Sequence, residues 1–261
     1  MREGLLAGKV GFVSGAARGI GLAVAERFVE EGGSVAIGDV LIAEAERKAS
    51  HLGGRDQAVA VEVDVTNELA LAGAVDATVQ AFGRVDCVVA NAGVLALKHA
   101  VDLGTDEWKR VVDINLTGSF LTCRAFAERL LHQNEGGSII LTSSLFGLRG
   151  GVENSAYSAS KFGMIGLMQS LAAELAPHRI TVNAVCPGQI QTEMMDKLLH
   201  DRSVLTGRTE DEIRASLESR VAMGRLGTMR EVADVYVFLA SDLSRYVTGQ
   251  SIVVDGGWQV G

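Results

Sequence analysis

The chain has 261 residues, of which 48% are hydrophobic and 21% charged, and its formal net charge is −8. This length suits one α/β domain with a large core, the acidic balance argues against a nucleic-acid partner, and no apolar stretch approaches the roughly 18 residues of a membrane span. We therefore predict a single domain over residues 1–261 that binds neither nucleic acid nor membrane.

The N-terminus, the histidines and the cysteines narrow the class further. Residues 1–8 are too few and too charged for a signal peptide, so we expect a cytoplasmic protein. The five histidines form no ligand pair, and we predict no metal site. The three cysteines lie in separate apolar runs, which is typical of core residues rather than of a disulfide framework: Cys87, Cys123 and Cys186.

The first predicted elements are a strand, a glycine-rich turn and a helix. Residues 9–14 are a short apolar run, and residues 22–30 have the pattern of an amphipathic helix. Glycines at 15, 19 and 21 lie between them, with a spacing that differs from the commoner Gly-x-Gly-x-x-Gly. A strand that enters a helix through glycines presents backbone N–H groups at the positive helix end, which suits a pyrophosphate. A tight turn against a sheet is the alternative.

The second predicted strand, residues 34–39, ends in an acidic residue. In a dinucleotide-binding fold, an acid at the position of Asp39 hydrogen-bonds the adenosine ribose and repels a 2′-phosphate. Val40 and Leu41 follow without a basic residue, so the sequence predicts NAD rather than NADP. The alternative is an acid that only caps the end of the strand.

Strands and helices alternate through the rest of the chain. Near-continuous runs of Val, Ile, Ala and Leu predict parallel strands covered on both faces. A long helix is predicted near 106–132 with Thr105 as its N-cap, and Thr228 and Glu231 form a capping box for a helix to about 241. This order indicates a doubly wound parallel sheet of the Rossmann type with helices on both faces. The later strands are predicted at residues 58–63, 85–90, 138–143, 180–185 and 251–254.

Tyr157 and Lys161 carry the strongest chemical signal. Residues four apart lie on one face of a helix, so the phenol and the ammonium can point into one cleft. The ammonium would favour the phenolate and lower the pKa of Tyr157, as an acid/base near neutral pH requires. Ser144 follows a predicted strand, where its hydroxyl can hydrogen-bond a substrate oxygen. Since Tyr-x-x-x-Lys pairs are common on helices, the pair alone does not establish a site.

The ordered set of motifs resembles that of the short-chain dehydrogenase/reductase family over nearly the whole chain. Three departures, Ser14 for Thr, Ala90 for Asn and Met229 for Pro, remove no catalytic group. The residues that match the family's catalytic tetrad are Asn115, Ser144, Tyr157 and Lys161. The residues that match its cofactor-binding positions are Ser14, Gly15, Arg18, Gly19, Ile20, Gly21, Asp39, Asp64, Val65, Asn91, Ala92, Gly93, Pro187, Gly188, Ile190 and Thr192, together with Tyr157 and Lys161.

The resemblance implies a role for each catalytic residue. Hydride passes between the nicotinamide and a carbinol carbon while Tyr157 exchanges the hydroxyl proton and Ser144 holds the same oxygen. Lys161 binds the nicotinamide ribose, and Asn115 holds a water that extends a proton relay. Without the resemblance, Asn115 could equally be a helix residue turned to solvent. Thr192 is expected to reach the nicotinamide carboxamide.

Three functions stay open at this point. The intact tetrad favours an NAD-dependent dehydrogenase of secondary alcohols or the corresponding ketones. An NADPH-dependent 3-oxoacyl thioester reductase is the second possibility, because Arg18 in the glycine-rich turn can meet a 2′-phosphate. A dinucleotide-binding sensor or scaffold without turnover is the third, because a fold does not determine function.

A small or medium, mostly apolar alcohol or carbonyl compound is the expected substrate, held under a lid at about residues 193–225. Methionine and leucine pairs four residues apart give the first part of this segment an apolar face. Gly207 breaks that pattern, and Thr209 with Glu212 starts a second helix as a capping box. An ordinary core is the alternative use of the Met/Leu face. The substrate-contacting residues are predicted to be Ser144, Leu95, Leu145, Asn154, Gln189, Met194 and Met195.

The resemblance also implies a homotetramer. Its pairing would use the long helices near 106–132 and 155–176 and the final strand. Phe120, Phe126, Phe162 and Met168 are hard to place on one sheet-facing stripe, which indicates a second buried face. Packing inside the monomer is the alternative.

Overall fold

The computed structural model describes residues 4–258, and its centre is one sheet of seven parallel strands. Val, Ile and Ala dominate the strands because helices cover both faces of a parallel sheet. The predicted fold class is therefore confirmed. The strands are β1 (Val10–Ser14), β2 (Ser34–Asp39), β3 (Ala58–Glu62), β4 (Cys87–Ala90), β5 (Gly137–Thr142), β6 (Ile180–Pro187) and β7 (Ser251–Val254).

The strand order places a crevice at the middle of the sheet. The strands lie in the order β3-β2-β1-β4-β5-β6-β7, with Phe12 of β1 paired to Ala36 of β2 and Val88 of β4. The strands β2 and β3 are added on one side of β1, and the strands from β4 onward are added on its other side. Ligands of such folds bind where this order changes, outside the carboxyl ends of the strands. Ser14 is the last residue of β1 and Asn91 directly follows β4, and both border the crevice.

Nine α-helices pack around the sheet within residues 4–258. Their apolar faces turn toward the strands, and four further segments within the described residues are short 3₁₀ turns between elements. The helices are α1 (Gly19–Glu30), α2 (Ile42–His51), α3 (Glu68–Phe82), α4 (Thr105–Val112), α5 (Gly118–Gln133), α6 (Ser155–Leu175), α7 (Glu193–Thr206), α8 (Glu210–Glu218) and α9 (Met229–Ala240).

Alternate residues of each strand enter different cores. Val13 of β1 packs with Phe28 of α1 and Tyr236 of α9 on one face of the sheet. Its neighbour Phe12 packs with α3, α5 and α6 on the other face, where its ring stacks on Phe126 with centroids 4.3 Å apart. This alternation follows from the two-residue period of a strand. All three cysteines are buried in these layers, as predicted for core residues.

The predicted long helix differs from the observed one. Gly104, not Thr105, is the N-cap of α4, and no side chain caps that end. Residues Asp113–Thr117 form a π-helical turn that separates α4 from α5. The prediction of Thr105 as the cap was therefore wrong by one residue. A π turn is found mostly at functional sites, and this one contains Asn115.

Strand boundaries differ from the predictions by one or two residues. β4 begins at Cys87 rather than at residue 85, because the amide of Gln133 pairs with both backbone groups of Val85. β6 extends two residues beyond its predicted end, to Pro187, which pairs with Val254 of β7. Both capping boxes, at Thr209 and at Thr228, are confirmed.

The segment predicted as a lid has its own small core. α7 ends at Gly207, which has a φ of +69°, and α8 follows after three residues. None of the helices among residues 4–258 is both long and apolar enough to cross a membrane. The residues that form this small core, called the lid cluster below, are Met195, Leu199, Ile213, Leu217, Val221, Leu226 and Trp258.

Candidate active site

Hydrogen bonds join the ends of β1 and β4 below the glycine-rich turn. The buried hydroxyl of Ser14 donates to the Val89 carbonyl at 3.4 Å and accepts the N–H groups of Asn91 and Ala92 at 3.0 and 3.2 Å. The amide of Asn91 donates to the carbonyls of Ser14 and Gly15, both at 3.0 Å. The hydrogen bonds of Ser14 and Asn91 therefore fix the backbone conformation at the start of the glycine-rich turn.

Two glycines of the turn are required by close packing. A Cβ on Gly15, whose φ is +64°, would lie 2.7 Å from Cα of Ala92. A Cβ on Gly21 would lie 2.4 Å from the Gly15 carbonyl oxygen. Gly19 has a φ of +62°, and an added Cβ would meet no atom within 4 Å. Glycine is therefore needed at this position for its backbone conformation and not for lack of space, and the backbone beside it stays open.

The start of α1 fits a dinucleotide phosphate. The first four N–H groups of a helix have no partner within the helix, and the N-cap residue Arg18 forms no side-chain cap. Together with the open backbone at Gly19, these groups form an anion-binding end at the crevice. Ile20, in the first turn, packs against the core and orients the helix.

Asp39 connects the end of β2 to the same turn. Its Oδ2 accepts the N–H of Ala17 and its Oδ1 accepts the N–H of Leu41, both at 3.0 Å. The side chains of Val40 and Leu41 beside it are 60% and 40% exposed. The end of the crevice beside β2 is thus formed by a carboxylate and apolar side chains.

Arg18 points toward the lid segment. Its guanidinium lies 3.3 Å from the carboxylate of Glu193, the first residue of α7. Both side chains are more than half exposed, so the pair contributes little stability. The ion pair nevertheless places the carboxylate of Glu193 beside Arg18, the residue that could bind a 2′-phosphate.

The remaining predicted cofactor residues lie around the same edge of the sheet. Asp64 is exposed and accepts from the backbone and hydroxyl of Thr66, while Val65 is buried against α5. A Cβ on Gly188 would meet Cβ of Asp255 at 2.5 Å, and Ile190 is buried. Thr192 caps α7 by accepting the N–H of Met195 at 3.2 Å. Its hydroxyl therefore has a structural use that the sequence did not reveal.

Tyr157 lies in the first turn of α6, next to Ser144 and Phe146. The ring of Phe146 packs edge-on against that of Tyr157, with centroids 6.5 Å apart. Burial raises the pKa of Tyr157 above its ordinary value, and the hydrogen bond with Ser144 lowers it in part. The Ser144 hydroxyl also accepts the N–H of Phe146 at 3.2 Å, which orients it at the start of a 3₁₀ turn.

Lys161 does not lower the pKa of Tyr157, contrary to the sequence prediction. Its Nζ lies over the Tyr157 ring, 5.6 Å from the centroid, and donates to the carbonyl of Thr142 at 2.6 Å. The side chain is 3% exposed, and burial lowers its pKa to about 8. The prediction overlooked desolvation, which acts on both groups and makes the charged form of each less favourable.

Asn115 is fully buried, so the alternative of a solvent-facing helix residue is wrong. Its amide accepts the N–H of Val94 at 2.8 Å and donates to the Val94 carbonyl and the Ser160 hydroxyl at 3.0 and 3.1 Å. A Cβ on Gly93 would lie 3.3 Å from Asn115 Oδ1 and 3.6 Å from Lys161 Nζ. The π turn thus brings Asn115 next to the segment after β4 and close to Lys161.

The residues predicted to contact the substrate differ in burial, and only some of them lie near Tyr157 or line a cavity. Asn154 is 1% exposed, and its buried Oδ1 has no hydrogen-bond partner within the described chain, three residues before Tyr157. Leu145 is buried beside Ser144, and Leu95 is partly buried. Met194 is 42% exposed on α7. Met195 packs into the lid cluster, as the core alternative for the Met/Leu face expected, while Gln189 is buried and lines a cavity.

Arginines line that cavity, and the sequence analysis did not identify them. The cavity of about 200 Å³ extends from Phe146, which packs on Tyr157, to Leu198 and Trp258 of the lid side. Arg149, Arg202 and Arg220 also line it, and no acidic residue of the described range 4–258 does. Their spacing in the sequence follows no motif, because α7, α8 and the loop after Ser144 meet only in three dimensions.

Among residues 4–258 no cluster of three or more His, Cys, Asp or Glu residues is arranged to hold a metal ion. The chemistry available at the site is that of Ser144, Tyr157 and Lys161 beside a dinucleotide-binding crevice.

Comparison with known proteins agrees with this geometry. A family model described as enoyl-(acyl carrier protein) reductase matches residues 15–259. A 3-alpha-(or 20-beta)-hydroxysteroid dehydrogenase of Mycobacterium tuberculosis is 40% identical over 99% of this chain and 92% of its own. An NADP-dependent (R)-specific alcohol dehydrogenase of Lentilactobacillus kefiri is 37% identical over 97% of each chain.

A solved structure of a short-chain type dehydrogenase/reductase from Mycobacterium marinum is similar to this one. Its TM-score is 0.89 at 34% sequence identity, with 98% of this chain and 97% of that chain covered. Both the sequence relatives and this structure extend over the whole crevice and the tetrad. The chain therefore belongs to the short-chain dehydrogenase/reductase family of oxidoreductases.

Proposed function

We propose that the protein is an NAD-dependent dehydrogenase that interconverts a secondary alcohol and its ketone. The observation that carries this proposal is the contact of Ser144 with Tyr157, with Lys161 below the same ring, at the carboxyl edge of the sheet. A catalytically silent scaffold has no use for a buried lysine in this position, because burying an ammonium group destabilises the fold.

Each group of the site has a task in this reaction. NAD(H), when bound, accepts or supplies the hydride. Tyr157 takes the proton from the alcohol or gives it to the ketone oxygen, and its raised pKa keeps it protonated as the donor in the reduction direction. Ser144 holds the same oxygen by a hydrogen bond. Lys161 is proposed to bind the nicotinamide ribose through its ammonium group, whose pKa burial lowers to about 8.

Several residues position this group of three. Asn115 holds the segment after β4 through Val94, and Ser14 and Asn91 hold the glycine-rich turn. We propose that the cofactor is bound by the sixteen residues that match the family's cofactor-binding positions, together with Tyr157 and Lys161. Their position along the carboxyl edges of the central strands supports this assignment.

NAD is proposed over NADP on electrostatic grounds. Asp39 places a carboxylate beside the open adenosine end, where a 2′-phosphate would be repelled at a cost of a few kcal/mol, as a rough estimate. Arg18 is engaged with Glu193 and offers little compensation. Because one relative is named NADP-dependent, cofactor choice is a property to be measured on this chain.

Steady-state kinetics with NAD⁺ and NADP⁺ tests the proposal. Cyclohexanol, 2-octanol, a diol, a sugar and a 3-hydroxyacyl thioester serve as substrates. We expect turnover of the apolar secondary alcohols with NAD⁺, and a roughly 10²- to 10⁴-fold loss in Tyr157→Phe with NADH binding retained. Tyr246→Phe, at a fully exposed position, is the matched control and should behave as wild type.

Two results would contradict this function. Activity of Tyr157→Phe within a few-fold of wild type would exclude the acid/base role. Turnover confined to the thioester with NADP⁺ would favour the 3-oxoacyl thioester reductase instead. We also propose a homotetramer in the cytoplasm, where three buried free cysteines fit a reducing environment.

A further inference from the structure

We propose that the cavity beside Phe146 is a binding site for a compact oxyanion on the substrate, a carboxylate or a phosphate monoester, recognised by Arg202 and Arg220. This inference rests on the proposed function, since it describes the far end of the same substrate site. It predicts a substrate with an apolar body, a secondary hydroxyl or keto group at one end and one anionic group at the other.

The first argument is charge. Arg202 of α7 and Arg220 after α8 both line the cavity, and among the described residues of its wall none is acidic. The same two arginines line an adjoining cavity of about 240 Å³, where Glu153 is the acidic residue and is paired with His99 at 3.5 Å. Two guanidinium groups that face one cavity repel each other unless an anion lies between them.

The second argument is the pairing of the neighbouring acids. Neither Arg202 nor Arg220 forms an ion pair within the part of the chain that the structure describes. Three acids of the lid segment are engaged with other cations: Asp201 with Lys197 at 2.7 Å, Asp196 with Arg214 at 3.6 Å and Glu210 with His200 at 3.2 Å. Arg202 and Arg220 are therefore available to a ligand.

The third argument is geometry. Trp258 lies in the lid cluster, and the guanidinium carbon of Arg220 lies over its ring, 6.0 Å from the centroid, a contact that restrains the arginine side chain. An oriented guanidinium can bind a carboxylate or phosphate through two parallel hydrogen bonds. Arg202 is partly buried on α7, so its charge faces less water than that of an exposed arginine.

The fourth argument connects the cavity to the reaction. Phe146 lines the cavity and packs on Tyr157 with ring centroids 6.5 Å apart, so an apolar body that contacts Phe146 extends toward the catalytic hydroxyl. The cavity's volume of about 200 Å³ is below the roughly 300–1,000 Å³ of sites for drug-sized ligands. A small substrate fits these dimensions better than a steroid or an acyl thioester of a large carrier.

Ligand-observed NMR titrations of the NADH-loaded protein test the site without turnover. The probes are cyclohexanecarboxylate, its uncharged analogue cyclohexanecarboxamide, and cyclohexyl phosphate. We expect at least one anion to bind about tenfold or more tightly than the carboxamide, with an affinity that falls as salt is added. The tighter of the two anions identifies the oxyanion as carboxylate or phosphate.

Two variants and one control decide whether the arginines are responsible. Arg202→Gln and Arg220→Gln should each weaken anion binding roughly tenfold and leave carboxamide binding within about twofold. Arg214→Gln, also on the lid but outside the cavity, should change neither. Equal binding of anion and carboxamide by wild type, or an unchanged ratio in both cavity variants, would overturn the inference.

The outcome is separable from that of the proposed function. Tyr157→Phe should bind the anionic probe as wild type does, because Tyr157 does not line the cavity. Arginine-dependent binding without any alcohol oxidation would support the anion site and count against the dehydrogenase. Oxidation of neutral alcohols without arginine-dependent binding would support the dehydrogenase and overturn the anion site.

Discussion

Burial of Lys161 brings the pKa of its ammonium group from 10.5 down to about 8, close to the pH at which dehydrogenases are assayed. Below pH 8 the folded protein carries the charged form, and above it the neutral amine. The unfolded chain remains protonated to a pKa of about 10.4. Any interaction that requires the ammonium is therefore lost as pH rises through the folded-state value.

NADH binding should weaken as pH rises above about 8. The reason is that the proposed contact of Lys161 with the nicotinamide ribose needs the ammonium form, and affinity then falls by at most about tenfold per pH unit. Fluorescence titrations of NADH between pH 6.5 and 9.5 measure this. Lys161→Met should bind NADH more weakly at pH 7 and show a flat profile across this range. A wild-type profile as flat as the variant's would contradict the assignment.

Asp39 carries a negative charge and also accepts two backbone hydrogen bonds, and two substitutions separate these properties. Asp39→Asn removes the charge but keeps an oxygen for one of the two N–H groups that the carboxylate accepts. We expect kcat/KM with NADP⁺ to rise relative to NAD⁺ by roughly tenfold or more, since like-charge repulsion is removed. Asp39→Ala should change the same ratio and also lower the melting temperature, because the N–H of Ala17 loses its acceptor. An unchanged cofactor ratio in both variants would show that Asp39 does not face the 2′ position.

At the scale of elements, α7 and α8 are attached to the rest of the molecule by a small core. The lid cluster has seven buried members and is separate from the two large cores on the sheet. Gly207 joins the two helices in a left-handed conformation, and a Cβ added there would meet no atom within 4 Å. Segments with few buried apolar contacts open more readily than the sheet does, which is why we propose this segment as a substrate lid.

Limited trypsin digestion tests the lid. Arg208 follows Gly207 in an exposed loop, and we expect cleavage there in the free protein to slow several-fold when NADH and a substrate analogue are added. Arg55, exposed in the turn before β3, provides the internal control, since its cleavage should not respond to ligand. Equal protection of both sites, or of neither, would exclude a ligand-dependent closure of residues 193–225.

At the scale of the whole molecule, the apolar residues of α5 and α6 divide into two sets. Phe126 and Met168 are fully buried in the core, whereas Phe120 and Phe162 are 39% and 45% exposed. Arg124 lies over the Phe120 ring at 5.5 Å and covers part of it. Val253 of β7 is 46% exposed as well. These surfaces coincide with those that the family resemblance implies for subunit contacts.

Light scattering at micromolar concentration should give the mass of a tetramer. Phe120→Asp combined with Phe162→Asp should reduce it to a dimer or monomer, because a charge buried without a partner in an apolar interface is costly. Leu69→Asp, at a position 83% exposed on α3, is the control and should leave the mass unchanged. A wild-type monomer would refute the proposed assembly.

Local sequence patterns determined most of the architecture. Val- and Ile-rich runs predicted all seven strands to within about two residues, because a strand buried on both faces must be apolar along its whole length. The glycine-rich turn and Asp39 were found from spacing alone, since a positive φ and a close backbone approach restrict a position to glycine. Both capping boxes were found for a similar reason, because their hydrogen bonds join residues three apart.

Properties that depend on distant parts of the chain were decided only by the tertiary structure. The π turn that buries Asn115 is specified by Val94 and Ser160, which lie 21 and 45 residues away. The pKa values of Tyr157 and Lys161 follow from desolvation, which a helical spacing of four residues does not reveal. Arg202 and Arg220 line one cavity with Phe146 because α7 and α8 pack against each other in the folded chain. Burial and long-range contacts exist only once the chain is folded, so no local pattern records them.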